Sequence, residues 1–178
     1  MKAKTRTLCF CAITAAAYSV MTMVFAPISY GLVQCRVSEA LCILPFYFPQ
    51  TAWGLFAGCI IANLMTGNVV DVLFGSLATL LSCICIAKIG KAGKNLKMSV
   101  LACTMPVLFN AVIVGAVITS AYSGLKITEH LGTFALYAFQ VAIGEALVMF
   151  LIGLPLMRLL PRNKYAGELY NKLREDKK

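Results

Sequence analysis

The sequence has few charged side chains and very few acidic ones. Only 13% of its 178 residues are charged, seven are Asp or Glu, and one is histidine. Soluble domains carry about 25% charged residues, so this composition excludes an ordinary soluble domain. A single histidine and eight cysteines without zinc-site spacing give no metal-binding motif. We therefore expect neither a bound metal nor a cofactor.

Catalytic and phosphate-binding motifs are also missing from the sequence. The nearest fragment to a phosphate-binding loop ends at Gly93 and Lys94, but Lys88 stands where that loop requires its first glycine. No H-E-x-x-H or G-x-S-x-G sequence occurs. These absences favour a protein that is not an enzyme and does not hydrolyse ATP itself.

Apolar residues are what the sequence has in abundance. They make up 60% of the chain, and the mean hydropathy is +0.83, which is typical of a protein that lies in a bilayer. A formal net charge of +9 would indicate nucleic-acid binding only if the basic residues shared one folded face. Fourteen of the sixteen Lys and Arg instead fall in three separate segments. We therefore expect the protein to contact membrane lipid and no nucleic acid.

The three basic segments predict the membrane orientation. They are the N-terminus, the polar break at 88–97 and the end of the chain after the last apolar run. Short loops rich in Lys and Arg stay in the cytoplasm. Both termini and the 88–97 loop are therefore expected to lie on the cytoplasmic side of the plasma membrane.

The apolar runs fit this orientation only if one of them is divided. Because the N-terminus and the 88–97 loop lie on the same side of the membrane, an even number of spans must separate them. Only three apolar runs lie between them. The middle run, 38–66, contains two prolines, which interrupt a helix interior, so we divide it near Pro49. The predicted architecture is an all-α integral membrane protein with six transmembrane helices, of which the second and third are short. They form one membrane domain, 1–162, followed by a cytoplasmic tail, 163–178. The other predicted spans are 7–26, 71–88, 98–122 and 131–159.

A few polar side chains lie within or beside the predicted spans. Ionisable groups are costly in a bilayer and usually mark a ligand or ion path. Glu145 lies 14 residues into the last span, which places it near mid-membrane at about 1.5 Å per residue. We predict a substrate site in the outer half of the bundle, where carboxylate and amide groups can read the edge of a guanine-like base and aromatic rings can stack on it. The predicted contacts are Gln34, Arg36, Glu39, Asp71, Asn110, Gln140, Glu145, Phe74 and Tyr137.

Several of these polar residues have a structural alternative. Arg36 and Glu39 are three residues apart and can form an ion pair at the start of a helix. Asp71 can cap the fourth helix. Asn63 and Asn110 can simply hydrogen-bond neighbouring helices together. The sequence alone leaves these alternatives open.

Two pairs of small residues have the spacing that lets membrane helices approach closely. Ala12 and Ala16 lie in the first predicted span, and Gly54 and Gly58 lie in the third. Packing inside the protein is the commoner explanation of such a pair. The alanine pair can instead present a surface to another subunit.

Longer blocks of the sequence resemble a known family. They are FAPISYGLVQCRVSEALCILPF (25–46), GLFAGCIIANL (54–64), DVLFGSLATLL (71–81), NAVIVG (110–115) and AIGEALVMFLIGLPL (142–156). In these blocks the chain resembles the QueT type of substrate-binding (S) component of energy-coupling-factor (ECF) transporters, which serves queuosine precursors. The resemblance covers nearly all of the membrane portion.

The resemblance implies a six-helix protein whose ligand site opens outward beneath the loop at 27–36. The implied substrates are queuine and related deazaguanine bases. Ala12 and Ala16 match the family's docking pattern for a membrane scaffold (T) subunit that carries two ATPase subunits, which hydrolyse the ATP. One alternative is an S component for another vitamin, such as folate or thiamine. Another is a self-contained small-molecule carrier that uses Glu145 as a proton site.

Overall fold

The computed structural model describes residues 3–30, 35–162 and 168. Every regular element in this part of the chain is helical. A single turn, Ala26–Ser29, follows the first helix. The predicted tail, 163–178, lies outside the described residues apart from residue 168. The six helices are α1 Ala3–Val24, α2 Val37–Phe46, α3 Thr51–Leu64, α4 Val69–Ala92, α5 Leu96–Tyr122 and α6 Leu131–Arg162.

The helical break near Pro49 is confirmed. α2 ends at Phe46 and α3 begins at Thr51, with a turn between them. α2 winds as a 3-10 helix, in which the backbone N–H of Tyr47 donates to the carbonyl of Leu44 at 3.0 Å. Pro45 lies inside this helix and has no N–H to donate. The tighter winding therefore carries the chain through the proline before the helix ends.

Four of the described helices, α1, α4, α5 and α6, are long and apolar enough to cross a membrane. α2 and α3 are apolar but have only 10 and 14 residues. At about 1.5–2.0 Å per residue each is about 20 Å long, which is shorter than the roughly 30 Å hydrocarbon core. Large apolar side chains on the long helices are exposed, among them Leu8 at 70% and Leu151 at 69%. This outer surface suits contact with lipid and not with water.

α6 does not run as a uniform α-helix. It widens into a π turn at Met149–Gly153 before resuming as Leu154–Leu159. Pro155 follows the widened turn, and its ring would clash with the carbonyl of Leu151 in an unbroken α-helix. The π turn, which begins four residues after Glu145, thus accommodates the proline.

Glycines set the close contact between α1 and α3. A Cβ on Gly58 would lie 2.6 Å from the carbonyl oxygen of Ala15, and a Cβ on Gly54 would overlap the backbone of Cys11. The hydroxyl of Ser19 also donates to the carbonyl of Gly58 at 3.0 Å. For Gly54 and Gly58, packing inside the protein is therefore confirmed.

α2 lies inside the bundle. The other five helices pack in the order α1–α3–α4–α5–α6, and α2 contacts all of them. Seven of its ten residues are buried, so it forms the centre of the protein. On α4 the backbone of Phe46 presses against Gly90, where a side chain would leave no room. This arrangement brings the polar start of α2 to the inside of the bundle, facing α1, α4 and α6.

Candidate functional site

The N-cap of α4 is a residue other than Asp71. Its N-cap is Asn68, whose side chain accepts a hydrogen bond from the backbone N–H of Val70 at 2.9 Å. Asp71 lies in the first turn and is only 2% exposed. The capping alternative for Asp71 is therefore excluded, because Asn68 already performs it.

Glu39 is the centre of a buried hydrogen-bond network. Its Oε1 accepts from the hydroxyl of Tyr18 on α1 and, at 2.9 Å, from the hydroxyl of Thr79 on α4. Its Oε2 accepts from the Cys42 thiol at 3.0 Å. Glu39 itself is fully buried. The carboxylate thus ties α1, α2 and α4 together, and a network of this kind is stable only when each member has its partners.

The sequence-based site did not include Tyr18, although it supplies one of the donors to Glu39. A signal for it was present, because Thr14, Tyr18 and Thr22 repeat every four residues and so share one face of α1. All three are buried. The hydroxyl of Thr22 also pairs with that of Ser38 at 2.6 Å. Tyr18 and Thr22 of this polar stripe thus contact α2.

Arg36 is buried beside this network and is not paired with Glu39. Its Nη1 donates to the sulfur of Cys59 at 3.7 Å, and its guanidinium carbon lies 5.8 Å from the centre of the Tyr30 ring. The hydroxyl of Tyr30 in turn donates to the carbonyl of Ala62 at 2.6 Å. Burial raises the pKa of Tyr30, while the charge of Arg36 lowers it, so the phenol stays a neutral donor at physiological pH.

Asn63 and Asp71 share the space above Gly75. A Cβ on Gly75 would lie 2.9 Å from Asn63 Nδ2 and 2.9 Å from Asp71 Oδ1. Asn63 Nδ2 donates to the backbone carbonyl of Asp71 at 3.3 Å and to the hydroxyl of Ser76 at 3.4 Å. Asn63 thus bridges α3 and α4, as its structural alternative anticipated. The glycine leaves room for two polar groups that a larger residue would displace.

Glu145 has a partner that the sequence did not reveal. Asn110 Nδ2 on α5 donates to Glu145 Oε1 on α6 at 2.9 Å. Glu145 is 3% exposed, and α6, on which it lies, contacts α2. The hydrogen-bonded pair Asn110–Glu145 therefore lies on helices that adjoin the region of Arg36 and Glu39.

Six buried side-chain atoms have no hydrogen-bond partner in the described part of the chain. Buried polar groups are almost always paired, so such a concentration points to a missing partner. Within the same residues no group of three or more His, Cys, Asp or Glu could hold a metal ion. The six atoms are Ser29 Oγ, Arg36 Nη2, Asn63 Oδ1, Asp71 Oδ1, Gln140 Oε1 and Glu145 Oε2. Five belong to the polar residues singled out from the sequence, four of them to the predicted contacts.

Three other predicted contacts, Gln34, Phe74 and Tyr137, contribute none of these unpartnered atoms. Gln34 lies outside the described residues. Phe74 is 49% exposed and so is not part of the buried cluster. Tyr137 packs against Val114 and its apolar neighbours, and its hydroxyl accepts from Ser123 at 3.3 Å. The structure therefore brings together the polar contacts more closely than the aromatic ones.

Ala12 and Ala16 lie on the exposed side of α1. The side that meets α3 is formed by neighbouring positions, among them Cys11 and Ala15. The two alanine positions are therefore not used for packing within the described chain. They leave a shallow strip on the surface of a membrane-length helix.

Comparison with known proteins gives a consistent family. The family model described as QueT transporter matches residues 8–162. The Queuosine precursor transporter QueT of Lactococcus lactis subsp. cremoris (strain MG1363) is 40% identical over 81 residues. That match covers 44% of this chain and 48% of the relative, so the chain spans about half the length of the curated relative that it matches. No solved structure matches the chain.

Proposed function

The chain belongs to the QueT transporter family, and from this premise we propose that it is the substrate-binding component of an ATP-driven ECF-type importer. Its substrate would be a queuosine precursor, queuine or a related deazaguanine base, taken from outside the cell. The chain would bind and release the base, and partner subunits would hydrolyse ATP. The name of the Lactococcus relative supports the substrate class.

The observation that carries the proposal is the set of unpartnered buried atoms. They come from the loop before α2 and from α3, α4 and α6, and those of Arg36, Asp71 and Glu145 belong to ionisable groups. Leaving a buried polar group unpaired costs about 1–3 kcal/mol each. A polar ligand that supplied the missing partners would recover this cost on binding. The same atoms thereby favour a ligand site over a purely structural core.

The chemistry of these atoms suits a planar base with polar edges. A guanine-like edge presents two neighbouring N–H groups and a carbonyl oxygen. The carboxylate of Glu145, held by Asn110, can accept from the N–H groups, and the free Nη2 of Arg36 can donate to the carbonyl. Glu39 has a different role in this proposal, because its oxygens already accept from three side chains. It positions the start of α2, and with it Arg36.

We extend the proposal to the membrane topology. Six spans, with both termini and the α4–α5 connection in the cytoplasm, agree with the basic residues of that connection. Four lysines, one in this connection and three on the adjoining ends of α4 and α5, are exposed: Lys88, Lys91, Lys94 and Lys97. The predicted domain limits, 1–162 and 163–178, belong to the same proposal. α2 and α3 would then each cross the bilayer as a short span, in opposite directions.

The proposed partners are a T subunit and two ATPase subunits. The exposure of Ala12 and Ala16, together with the use of Gly54 and Gly58 inside the protein, supports a docking strip on α1. Small side chains allow close contact between helices, which is the main source of helix association in lipid.

The substrate proposal is tested by the thermal unfolding of purified protein with and without base. Ligand at 100 times its Kd stabilises the folded state by about 2.7 kcal/mol, which corresponds to roughly 5–11 °C for a chain of this size. We expect that shift with queuine or another deazaguanine base. A shift with folate or thiamine and none with saturating base would contradict the substrate and favour the other-vitamin alternative.

The docking proposal is tested by substitution of the alanine strip. Ala12→Leu with Ala16→Leu should abolish co-purification with the T subunit and the ATPases while base binding persists. The matched control is Ala57→Leu, at an exposed position on α3, which should leave both unchanged. Retained co-purification of the Ala12/Ala16 variant would contradict the docking strip.

The self-contained carrier is favoured by one observation, the buried Glu145 with a free Oε2. Liposomes that contain this chain alone distinguish the two functions. The S-component proposal predicts base binding without proton-coupled uptake. Uptake that depends on a proton gradient and is lost in Glu145→Gln would support the carrier instead.

A further inference from the structure

The thiol of Cys59 lies among polar side chains of α1, α3 and α4 and beside Arg36. Cys59 belongs to α3 and is fully buried. Four polar groups surround its sulfur: the hydroxyl of Thr79 at 3.4 Å, the hydroxyl of Tyr18 and Asn63 Nδ2 at 3.5 Å each, and Arg36 Nη1 at 3.7 Å. A buried cysteine usually packs as a small apolar side chain. Four polar neighbours therefore indicate a further role for this thiol.

The donors and acceptors around Cys59 follow from what each group can give. Thr79 has one proton, which it donates to Glu39 Oε1 at 2.9 Å, a shorter contact than the 3.4 Å to the carbonyl of Gly75. The oxygen of Thr79 is then left to accept, and the Cys59 thiol is its donor. A guanidinium can only donate, so the sulfur accepts from Arg36 Nη1. The hydrogen bonds therefore run in one direction, from Arg36 through Cys59 and Thr79 to Glu39.

This chain of hydrogen bonds keeps a buried cation apart from a buried carboxylate. Arg36 is the N-cap of α2, and Glu39 lies in the first turn of the same helix. Direct pairing of a guanidinium with a carboxylate commonly uses two N–H groups at once, which would occupy both Nη1 and Nη2. The sulfur of Cys59 is only a weak acceptor, and it engages Nη1. Nη2 consequently has no partner although Arg36 is buried.

We propose that Cys59 is a positioning residue, which holds Arg36 Nη1 so that Nη2 is directed at the carbonyl of the substrate. The inference rests on the proposed binding of a deazaguanine base and adds a residue that acts through Arg36. Removal of the sulfur would free the guanidinium to turn toward Glu39. Arg36 would then lose its contact with the carbonyl, whereas the contacts of Glu145 with the N–H groups of the base would persist.

The first experiment compares two bases on the wild-type protein by isothermal titration in detergent. They are 7-deazaguanine and its 6-thio analogue, which keeps the N–H groups and replaces the carbonyl oxygen with sulfur, a weaker acceptor. Because the hydrogen bond from a charged donor is weakened, we expect the 6-thio base to bind about tenfold or more weakly. Equal affinities would show that Arg36 does not read the carbonyl. That result would overturn the inference and leave the substrate proposal standing.

The second experiment repeats the comparison with Cys59→Ala, which removes the sulfur and its proton. We expect the preference for the oxo base to fall to within about twofold, with most of the change in the affinity of the oxo base. Cys59→Ser keeps a group that can both donate and accept and should restore most of the preference. The matched control is Cys103→Ala, at a fully buried cysteine on α5, which should keep the full preference.

The remaining outcomes decide between positioning and simple packing. If Cys59→Ala weakens both bases by the same factor, Cys59 supports packing and does not position Arg36. If neither base binds to the wild-type protein, the substrate proposal fails and the inference fails with it. Should the alanine variant not fold, Cys59→Val fills the space without a hydrogen-bonding group, and the same expectation and the same refutation apply to it.

Discussion

Removal of the Tyr18 hydroxyl should destabilise the protein more than removal of a comparable hydroxyl elsewhere. Tyr18 is fully buried, and its hydroxyl donates to the carboxylate of Glu39. A hydrogen bond to a charged group contributes about 1.5–3 kcal/mol, against about 0.5–1.5 kcal/mol for a neutral one. Tyr18→Phe keeps the ring and deletes only the donor. Since 1 kcal/mol corresponds to about 2–4 °C for a chain of this size, the melting temperature should fall by roughly 3–12 °C.

Tyr47→Phe is the matched control. Its hydroxyl donates to a neutral acceptor, the carbonyl of Met157, at 2.8 Å, and the residue is half-buried. Its loss should lower the free energy of unfolding by only about 0.5–1.5 kcal/mol. Unfolding of both variants can be followed by circular dichroism in mixed detergent micelles.

A double-mutant cycle between Tyr18→Phe and Glu39→Gln then measures the interaction energy between the two side chains. We expect a coupling energy of at least about 1 kcal/mol, because Glu39→Gln removes the charge that strengthens the hydrogen bond from Tyr18. Coupling near zero, or a Tyr18→Phe variant as stable as Tyr47→Phe, would refute the network at the start of α2.

Three further substitutions test other parts of the structure. Glu145→Gln should raise the melting temperature of the ligand-free protein, because it removes a buried charge, and should weaken base binding about tenfold or more. Gly58→Ala should destabilise the protein by about 1–3 kcal/mol through overlap with Ala15. Asn68→Ala should lower the free energy of unfolding by about 1 kcal/mol through loss of the α4 cap.

Each of these has a control or a contradicting outcome. Gly132→Ala is the control for Gly58, since nothing lies within 4 Å of a Cβ there, and it should be neutral or stabilising. Glu145→Gln with undiminished base binding would remove Glu145 from the site. An Asn68→Ala variant as stable as the wild type, in protein without ligand, would contradict the assignment of the cap.

The positions of the helices could be predicted from the sequence because few physical rules govern them. Apolar run length indicates where helices lie, and Pro49 marks the break between α2 and α3 by removing a backbone donor. The spacing of Gly54 and Gly58 predicted that they pack inside the protein, which is the commoner use of such a pair. Spacing alone could not show which helix they contact. The central position of α2 was not predictable, because it depends on how the other five helices pack around it.

The individual polar residues of the site could also be found, but not their pairing. A carboxylate within an apolar run is conspicuous, and Glu145 was therefore found from the sequence alone. Its partner Asn110 is 35 residues away, and helix rotation decides which side chains meet. Tyr18 was missed because a tyrosine in an apolar helix does not by itself indicate a buried hydrogen bond. Its four-residue spacing from Thr14 and Thr22 was the available signal.

The most direct measurement of the central claim is a structure of the protein determined with a bound deazaguanine base. The proposed site predicts density for a planar ring system with its polar edge against Glu145 and its carbonyl near Arg36. The unpartnered Oε2 of Glu145 and Nη2 of Arg36 should then both lie within hydrogen-bond distance of the base. Density for the base elsewhere, with these two atoms still unpartnered at saturating ligand, would contradict the account.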